Sequence, residues 1–174
     1  MDIVLYPDPR LRAQNAPVTT FDAELEANTR AMFALMYATA GVGLAAPQVG
    51  WNVRLMVYNP EGSTPNPPSE MVLCNPKIVW KSKEKEDGEE GCLSFPEIHG
   101  QVTRPLQIRV QAQSLTGEAL EIELEGWEGR IFQHELDHLD GILFIDRMSP
   151  ASKGLAKAAL EDMIQIYKDQ LASS

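Results

Sequence analysis

Cysteine and histidine are scarce in this chain, two of the first and three of the second in 174 residues. Cys74 and Cys92 can close at most one bridge, and a chain of this length builds a core without it. A disulfide scaffold is thereby excluded and a reducing compartment expected. Positive charge is also short: 15 Lys and Arg stand against 25 Asp and Glu, a formal net charge of -10. That balance argues against non-specific binding to nucleic acid or to an anionic membrane, since both need a basic surface. No apolar run approaches the roughly twenty residues of a membrane span, and no window reads as a signal peptide. The expected location is therefore the cytoplasm, and a processed organelle form would read the same way. Repeats and low-complexity tracts are missing too, which leaves one domain over 1–174.

What is present centres on Gln133-His134-Glu135-Leu136-Asp137-His138. In a helix, His134 and His138 leave the same face about one turn apart and can grip one divalent cation. Glu135 lies beside them, where a general base would act on water. Ile131, Phe132, Leu136 and Leu139 supply an apolar stripe, and Gly141 a stop. A catalytic cation needs a third protein ligand. Only His99 remains among the histidines. Cys92, beside Gly91, can offer a thiolate, although taken alone it reads as readily as a small buried hydrophobe. Cys74 falls inside a predicted strand and is the poorer candidate.

The rest of the chain follows in order. Pro7, Pro9 and Pro17 keep the first eighteen residues extended, with Leu5 and Leu11 as anchors to a core. A helix is predicted from Thr20 or Asp22 to about Thr39, with Leu25, Met32, Leu35 and Met36 inward. Residues 41–50, Gly-Val-Gly-Leu-Ala-Ala-Pro-Gln-Val-Gly, read as a partly buried loop. Gln48 is its one polar side chain, and a buried amide needs partners, whether in a tight turn or in a site. Strands are predicted at 53–58 and 71–80, around a loop at 61–70 that holds Pro65, Pro67 and Pro68. Residues 81–90 read as a charged connection. Further strands are predicted at 102–112 and 120–124, with Glu121, Glu123 and Glu125 facing water. The metal helix is expected to start near Gly129. Ser149-Pro150 opens a last helix with a stripe of Leu155, Ala159, Met163, Tyr167 and Leu171.

Three motifs now stand in order: Gly-Val-Gly-Leu-Ala-Ala-Pro-Gln at 41–48, Glu-Gly-Cys-Leu-Ser at 90–94 and Gln-His-Glu-Leu-Asp-His at 133–138. Together they resemble the peptide deformylases over nearly the whole chain. The resemblance implies an α+β fold. Mixed, mostly antiparallel sheets would surround a central metal-binding helix, with one helix in the N-terminal half and another at the C-terminus. It implies a metal-dependent hydrolase that removes the formyl group from N-formylmethionyl peptides. Cys92, His134 and His138 would bind one divalent ion, Fe(II) by expectation, with Zn(II), Ni(II) or Co(II) able to substitute. Glu135 would act as general base and then general acid, while Gln48 and the backbone N–H of Leu93 hold the oxyanion. Val42, Gly43 and Gly91 would pair with an extended substrate. Val42, Trp127, Arg130 and Ile131 would line the pocket for its methionine.

A monomer is expected, with the formylated peptide as partner and a transient ribosome contact as a further one. Lys153, Lys157 and Lys168 in the last helix are offset by Glu161, Asp162 and Asp169 and give that contact little support. Two residues depart from the usual pattern: His99 stands where many bacterial relatives carry arginine, and Trp127 is bulkier than the usual aliphatic residue. Glu90 and Arg104 are expected to form a pair steadying the Cys92 segment.

Two other readings compete. His134 to Gly141 copies the start of a zinc endopeptidase signature, His-Glu-x-x-His-x-x-Gly, but the final histidine would fall on Phe144. A non-catalytic, metal-stapled peptide-binding module would need a fourth protein ligand, for which only His99 offers itself.

Overall fold

The structure, a computed structural model, describes residues 1–62 and 67–174. Helix α1 (Ala23–Ala38) starts where Asp22 accepts a hydrogen bond from the Leu25 N–H at 3.0 Å, with Glu24 and Glu26 in the first turn. Both features favour a helix N-terminus. Strands β1 (Gly43–Ala45), β2 (Leu55–Tyr58), β3 (Met71–Lys81), β6 (Gln107–Gln113) and β7 (Ala119–Glu125) form one sheet in the order β1-β2-β3-β6-β7. Strands β4 (Lys85–Cys92) and β5 (Phe95–Pro105) form a separate hairpin. Helices α2 (Gly126–Leu139), α3 (Phe144–Arg147) and α4 (Pro150–Ala172) complete the chain. This is the expected α+β fold, and every pairing between these strands is antiparallel.

The alternation of side chains along a strand explains how the larger sheet is covered. All four residues of β2 are buried. Met56 and Tyr58 face α2 with Leu73 and Val110, against Ile131, Phe132 and Leu136. Leu55 and Val57 face the other way, packing with Leu25, Met32 and Met36 of α1. A third cluster joins Phe95, Ile98 and Val102 of β5 to Phe144, Ile145 and Ala156, and to Val4 and Leu11 of the N-terminal segment. Helix α2 is thus enclosed from Ile131 to Leu139. Gln133, His134, Glu135, Asp137 and His138 are all buried along it, although none is apolar.

Several boundaries differ from expectation. The 41–50 run is not all loop: β1 pairs Gly43 with Tyr58, and a 3-10 turn follows at Ala46–Val49. The charged 81–90 stretch is mostly strand β4, because in an exposed hairpin the pairing partner, not an apolar face, fixes the strand. The single strand expected over 102–112 is two, parted at Leu106, one in each sheet. Helix α2 begins at Gly126 rather than Gly129, and 144–147 close into the short α3. Ser149 caps α4 as expected, accepting from the Ser152 N–H at 3.2 Å. Its buried face, however, is Ser152 and Ala156, with Leu160 and Met163 packed alongside. Leu155 is 88% exposed. The small pair lets α4 close on β5, where Ser152 Oγ accepts from the Gln101 N–H at 2.9 Å. Leu5 is exposed, whereas Leu11 is buried as expected. Pro65 of the proline-rich loop lies outside the described residues.

Candidate active site

Helix α2, the end of β4 and the β1 segment converge on a cleft of about 740 Å³. Cys92 is the last residue of β4, and the turn into β5 carries Leu93 and Ser94. This turn brings Cys92 Sγ to 3.4 Å from His138 Nε2. The ligand atoms of Cys92, His134 and His138 all lie within 4.8 Å of one another, and no other such cluster occurs among the described residues. Two donors on one small tetrahedral cation stand about 3.5 Å apart, so the spacing fits a shared ion.

The surroundings fit it as well. His134 Nδ1 bonds to Glu90 Oε1 at 2.9 Å, which leaves the other ring nitrogen for the cluster. Burial opposes a charge on His134, but Cys92 and Glu90 outweigh it and push the imidazole pKa well up. The Cys92 sulfur and the Glu90 carboxylate thus favour positive charge at the centre of the cluster, which a cation supplies. His138 is pushed well down by burial, then by His134 and Arg104, and so stays neutral as a ligand must.

Glu90 is the hub behind the cluster. Arg104 grips both its oxygens, Nε to Oε2 at 2.6 Å and Nη2 to Oε1 at 2.8 Å. Burial raises the Glu90 pKa, yet Arg104 and His134 more than offset it and bring the carboxyl down to about 2. The expected Glu90–Arg104 pair is therefore present, and it extends further. Arg104 Nη1 reaches Asp137 Oδ2 at 2.9 Å, and Arg147 holds the same carboxylate from outside. Sequence reasoning missed Asp137, whose only signal was a carboxylate inside an enclosed helix.

Glu135 lines the cleft, and its Oε1 is buried without a partner. Burial pushes its carboxyl up to about 7. A carboxyl poised near neutrality is suited to both taking and giving a proton. Gln48 is fixed at both ends: Oε1 accepts from the Ala45 N–H at 2.9 Å, and Nε2 donates to Ser94 Oγ at 3.1 Å. The same Nε2 stands 3.4 Å from Cys92 Sγ, so the amide presents a donor beside the cluster. Ser94, the anchor that gives Gln48 this orientation, was also missed.

The cleft brings together Val42, Gly43, Gln48, Gly91, Cys92, Leu93, Trp127, Arg130, Ile131, His134 and Glu135, with His138 behind. Trp127 is half exposed at the mouth. The Arg130 guanidinium is already bonded to Glu90, Val102 O and Glu86 O. His99 is exposed and packs over Gly91, outside the cluster. Ile3 and Leu5 join the lining without a sequence signal, because a chain segment remote from the motifs supplies them, and 95–98 extend the lining past the Glu-Gly-Cys-Leu-Ser motif.

Known proteins share this fold. The crystal structure of an Arabidopsis thaliana peptide deformylase 1B variant superposes with a TM-score of 0.95 at 46% identity, covering 98% of this chain and 92% of that one. Peptide deformylase from Plasmodium falciparum gives 0.95 at 42% identity, covering 97% and 98%. The Thermotoga maritima peptide deformylase is 45% identical over 95% of this chain and 98% of its own length. The chloroplastic peptide deformylase 1B of Oryza sativa is 47% identical over 97% of this chain, which spans 62% of that protein's length. A family model described as polypeptide deformylase matches residues 1–154. Matched in sequence over most of its length and in fold over nearly all of it, the chain belongs to the peptide deformylase family.

Proposed function

We propose that this chain, as one domain over 1–174, hydrolyses the formyl group from N-formylmethionyl peptides and releases formate. The observation that carries the reading is the placement of Glu135, buried with an unpartnered oxygen, beside the Cys92–His134–His138 cluster in one cleft.

A divalent cation held by those three residues would act as a Lewis acid and make water a competent nucleophile near neutral pH. The remaining work falls to the chain. Glu135 accepts the proton from the attacking water. As the formyl carbon becomes tetrahedral, Gln48 Nε2 and the Leu93 N–H donate to the developing oxyanion; each such donor is worth about 3 kcal/mol when removed. Glu135 then passes its proton to the leaving amine. Val42, Gly43 and Gly91 present backbone to the peptide, and Val42, Trp127, Arg130 and Ile131 flank its methionine. One thiolate with two imidazoles suits Fe(II), the proposed ion, and also Zn(II), Ni(II) or Co(II).

We propose a monomer whose partner is the formylated peptide, with any ribosome contact transient. No helix among the described residues is long and apolar enough to cross a membrane. The proposed compartment is the cytoplasm or, as the names of the rice and Arabidopsis relatives suggest, an organelle. The endopeptidase reading is disfavoured by Phe144, which is buried with its ring centroid 5.6 Å from that of His134. Glu135→Gln tests the proposal. Bound metal should be retained while formate release from a formyl-Met dipeptide falls at least about 100-fold. Undiminished release, or cleavage of internal peptide bonds by the unaltered protein, would reject it.

A further inference from the structure

Arg130 occupies an unusual place for a residue at the wall of a substrate cleft. Its side chain is only 12% exposed, and it lines both the cleft and a neighbouring hollow of about 300 Å³. Three hydrogen bonds lock the guanidinium: Nη1 to Glu90 Oε2 at 2.8 Å and to Val102 O at 2.9 Å, and Nη2 to Glu86 O at 2.9 Å. It lies flat on β4 because residue 88 is glycine. A Cβ on Gly88 would stand 2.6 Å from Arg130 Cζ.

The oxygen that Arg130 holds belongs to the same carboxylate whose other oxygen meets His134. Glu90 Oε2 takes Arg130 Nη1 and Arg104 Nε, while Oε1 takes Arg104 Nη2 and His134 Nδ1. A carboxylate is a rigid plane, so fixing Oε2 fixes the direction in which Oε1 meets the ring. Arg104 approaches from the buried Asp137 side, and Arg130 from the cleft. Arg104, bonded to both oxygens, sets the plane of the carboxylate, and Arg130 braces Oε2 from the cleft side against movement of that pair.

We propose that Arg130 is a positioning residue: it ties the wall of the substrate cleft to His134 through Glu90, and thereby steadies the metal cluster from the substrate side. The proposal rests on the metal-site reading above. It gives the Arg130 charge a purpose that a plain pocket wall does not need.

The test is chelator-driven loss of Co(II) from the Co(II)-loaded protein, followed by the visible absorption of the Cys-His-His site, with thermal unfolding recorded in parallel. Arg130→Met keeps bulk and loses charge; Arg130→Lys keeps a charged donor. Gly88→Ala leaves Arg130 in place but pushes its guanidinium off the strand. Arg130→Met should lose Co(II) roughly three- to tenfold faster than the unaltered protein, below the 10–100-fold effect of a group bonded directly to a ligand. Its absorption bands should shift as the His134 ring reorients. Arg130→Lys should restore most of the retention, and Gly88→Ala should fall between. Equal rates for Arg130→Met and the unaltered protein would overturn the proposal. Equal acceleration in the Met and Lys variants would overturn it too, because bulk would then be the cause. Should the unaltered protein show no thiolate-bound Co(II) at all, the metal-site reading itself fails, and the two failures are thereby distinguished.

Discussion

Gly43 and Glu135 pack with no room for a side chain between them: a Cβ on Gly43 would stand 2.6 Å from Glu135 Oε2 and 3.0 Å from Ile131 Cγ2. The first residue of β1 is therefore the back wall of the proposed general base. Gly43→Ala should push the carboxylate aside while leaving Cys92, His134 and His138 untouched. A misplacement of about 1 Å at a reacting group costs on the order of 100-fold. Formate release should fall about 10- to 100-fold, with metal content unchanged. Measuring kcat on protein of known metal stoichiometry decides it, and an unchanged kcat would show that Glu135 has slack.

The Arg104 side chain is 5% exposed and bonded to two buried carboxylates, Glu90 and Asp137. Removing one partner of a buried ionic network leaves uncompensated charge, at about 3–5 kcal/mol. Arg104→Ala should lower the unfolding free energy by that order in denaturant titration and also weaken metal retention. Arg30→Ala, which breaks the exposed Arg30–Glu26 pair on α1, should leave the denaturation midpoint where it is. Equal effects of the two substitutions would contradict the burial argument.

These contrasts show which parts of the molecule the sequence discloses. The cluster was legible because its chemistry is local: His134 and His138 share a helix face, and few other residues can complete their ligand set. The Glu90–Arg104 pair was legible as a support for the Cys92 segment, two opposite charges beside the ligand. The bonds from Arg104 to Asp137 and from Arg130 to Glu90 were not, since they span 33 and 40 residues and arise only when β4, β5 and α2 pack together. Strand β4 hid because Lys85, Glu86, Asp87 and Glu89 are all exposed and leave no apolar rhythm. On α4 the predicted stripe caught Met163 but put Leu155 and Ala159 inward, where Ser152, Ala156 and Leu160 are observed. Leucine at 155 outweighs alanine at 156 in any hydrophobic stripe, yet close packing on β5 favours the smaller residue.

Asp146 joins α3 to the N-terminal segment. Arg12 Nη1 donates to its Oδ2 at 2.6 Å and Nη2 to its Oδ1 at 3.0 Å, and the Leu143 N–H donates at 2.9 Å. Burial would raise the carboxyl, but Arg12 and the Leu143 N–H outweigh it and hold it below the usual 3.8. A depressed folded-state value means that the stabilisation is present above pH 3.8 and fades as pH falls through the folded value. Asp146→Asn should therefore lower the urea midpoint at pH 7, and the gap from the unaltered protein should narrow near pH 3. Partial exposure keeps the effect modest. A gap that widened on acidification would reverse the sign and refute the assignment.

The two cysteines should separate cleanly under alkylation. Cys74 sits in β3, fully buried, and burial pushes its thiol up to about 11, so almost no thiolate forms at pH 7.5. Cys92 lines the cleft and is only partly buried. Iodoacetamide on the native, metal-stripped protein should add one carbamidomethyl group, and peptide mapping should place it on Cys92. Loading with Zn(II) should suppress that reaction, because a coordinated thiolate is a weaker nucleophile and its lone pairs are engaged. Unfolding in guanidinium should then expose both sites and give two additions. Modification of Cys74 in the native protein would mean that β3 opens on the timescale of the experiment. Equal labelling of Cys92 with and without Zn(II) would mean that its sulfur does not reach the ion, and the proposed ligand set would have to be redrawn around the two histidines.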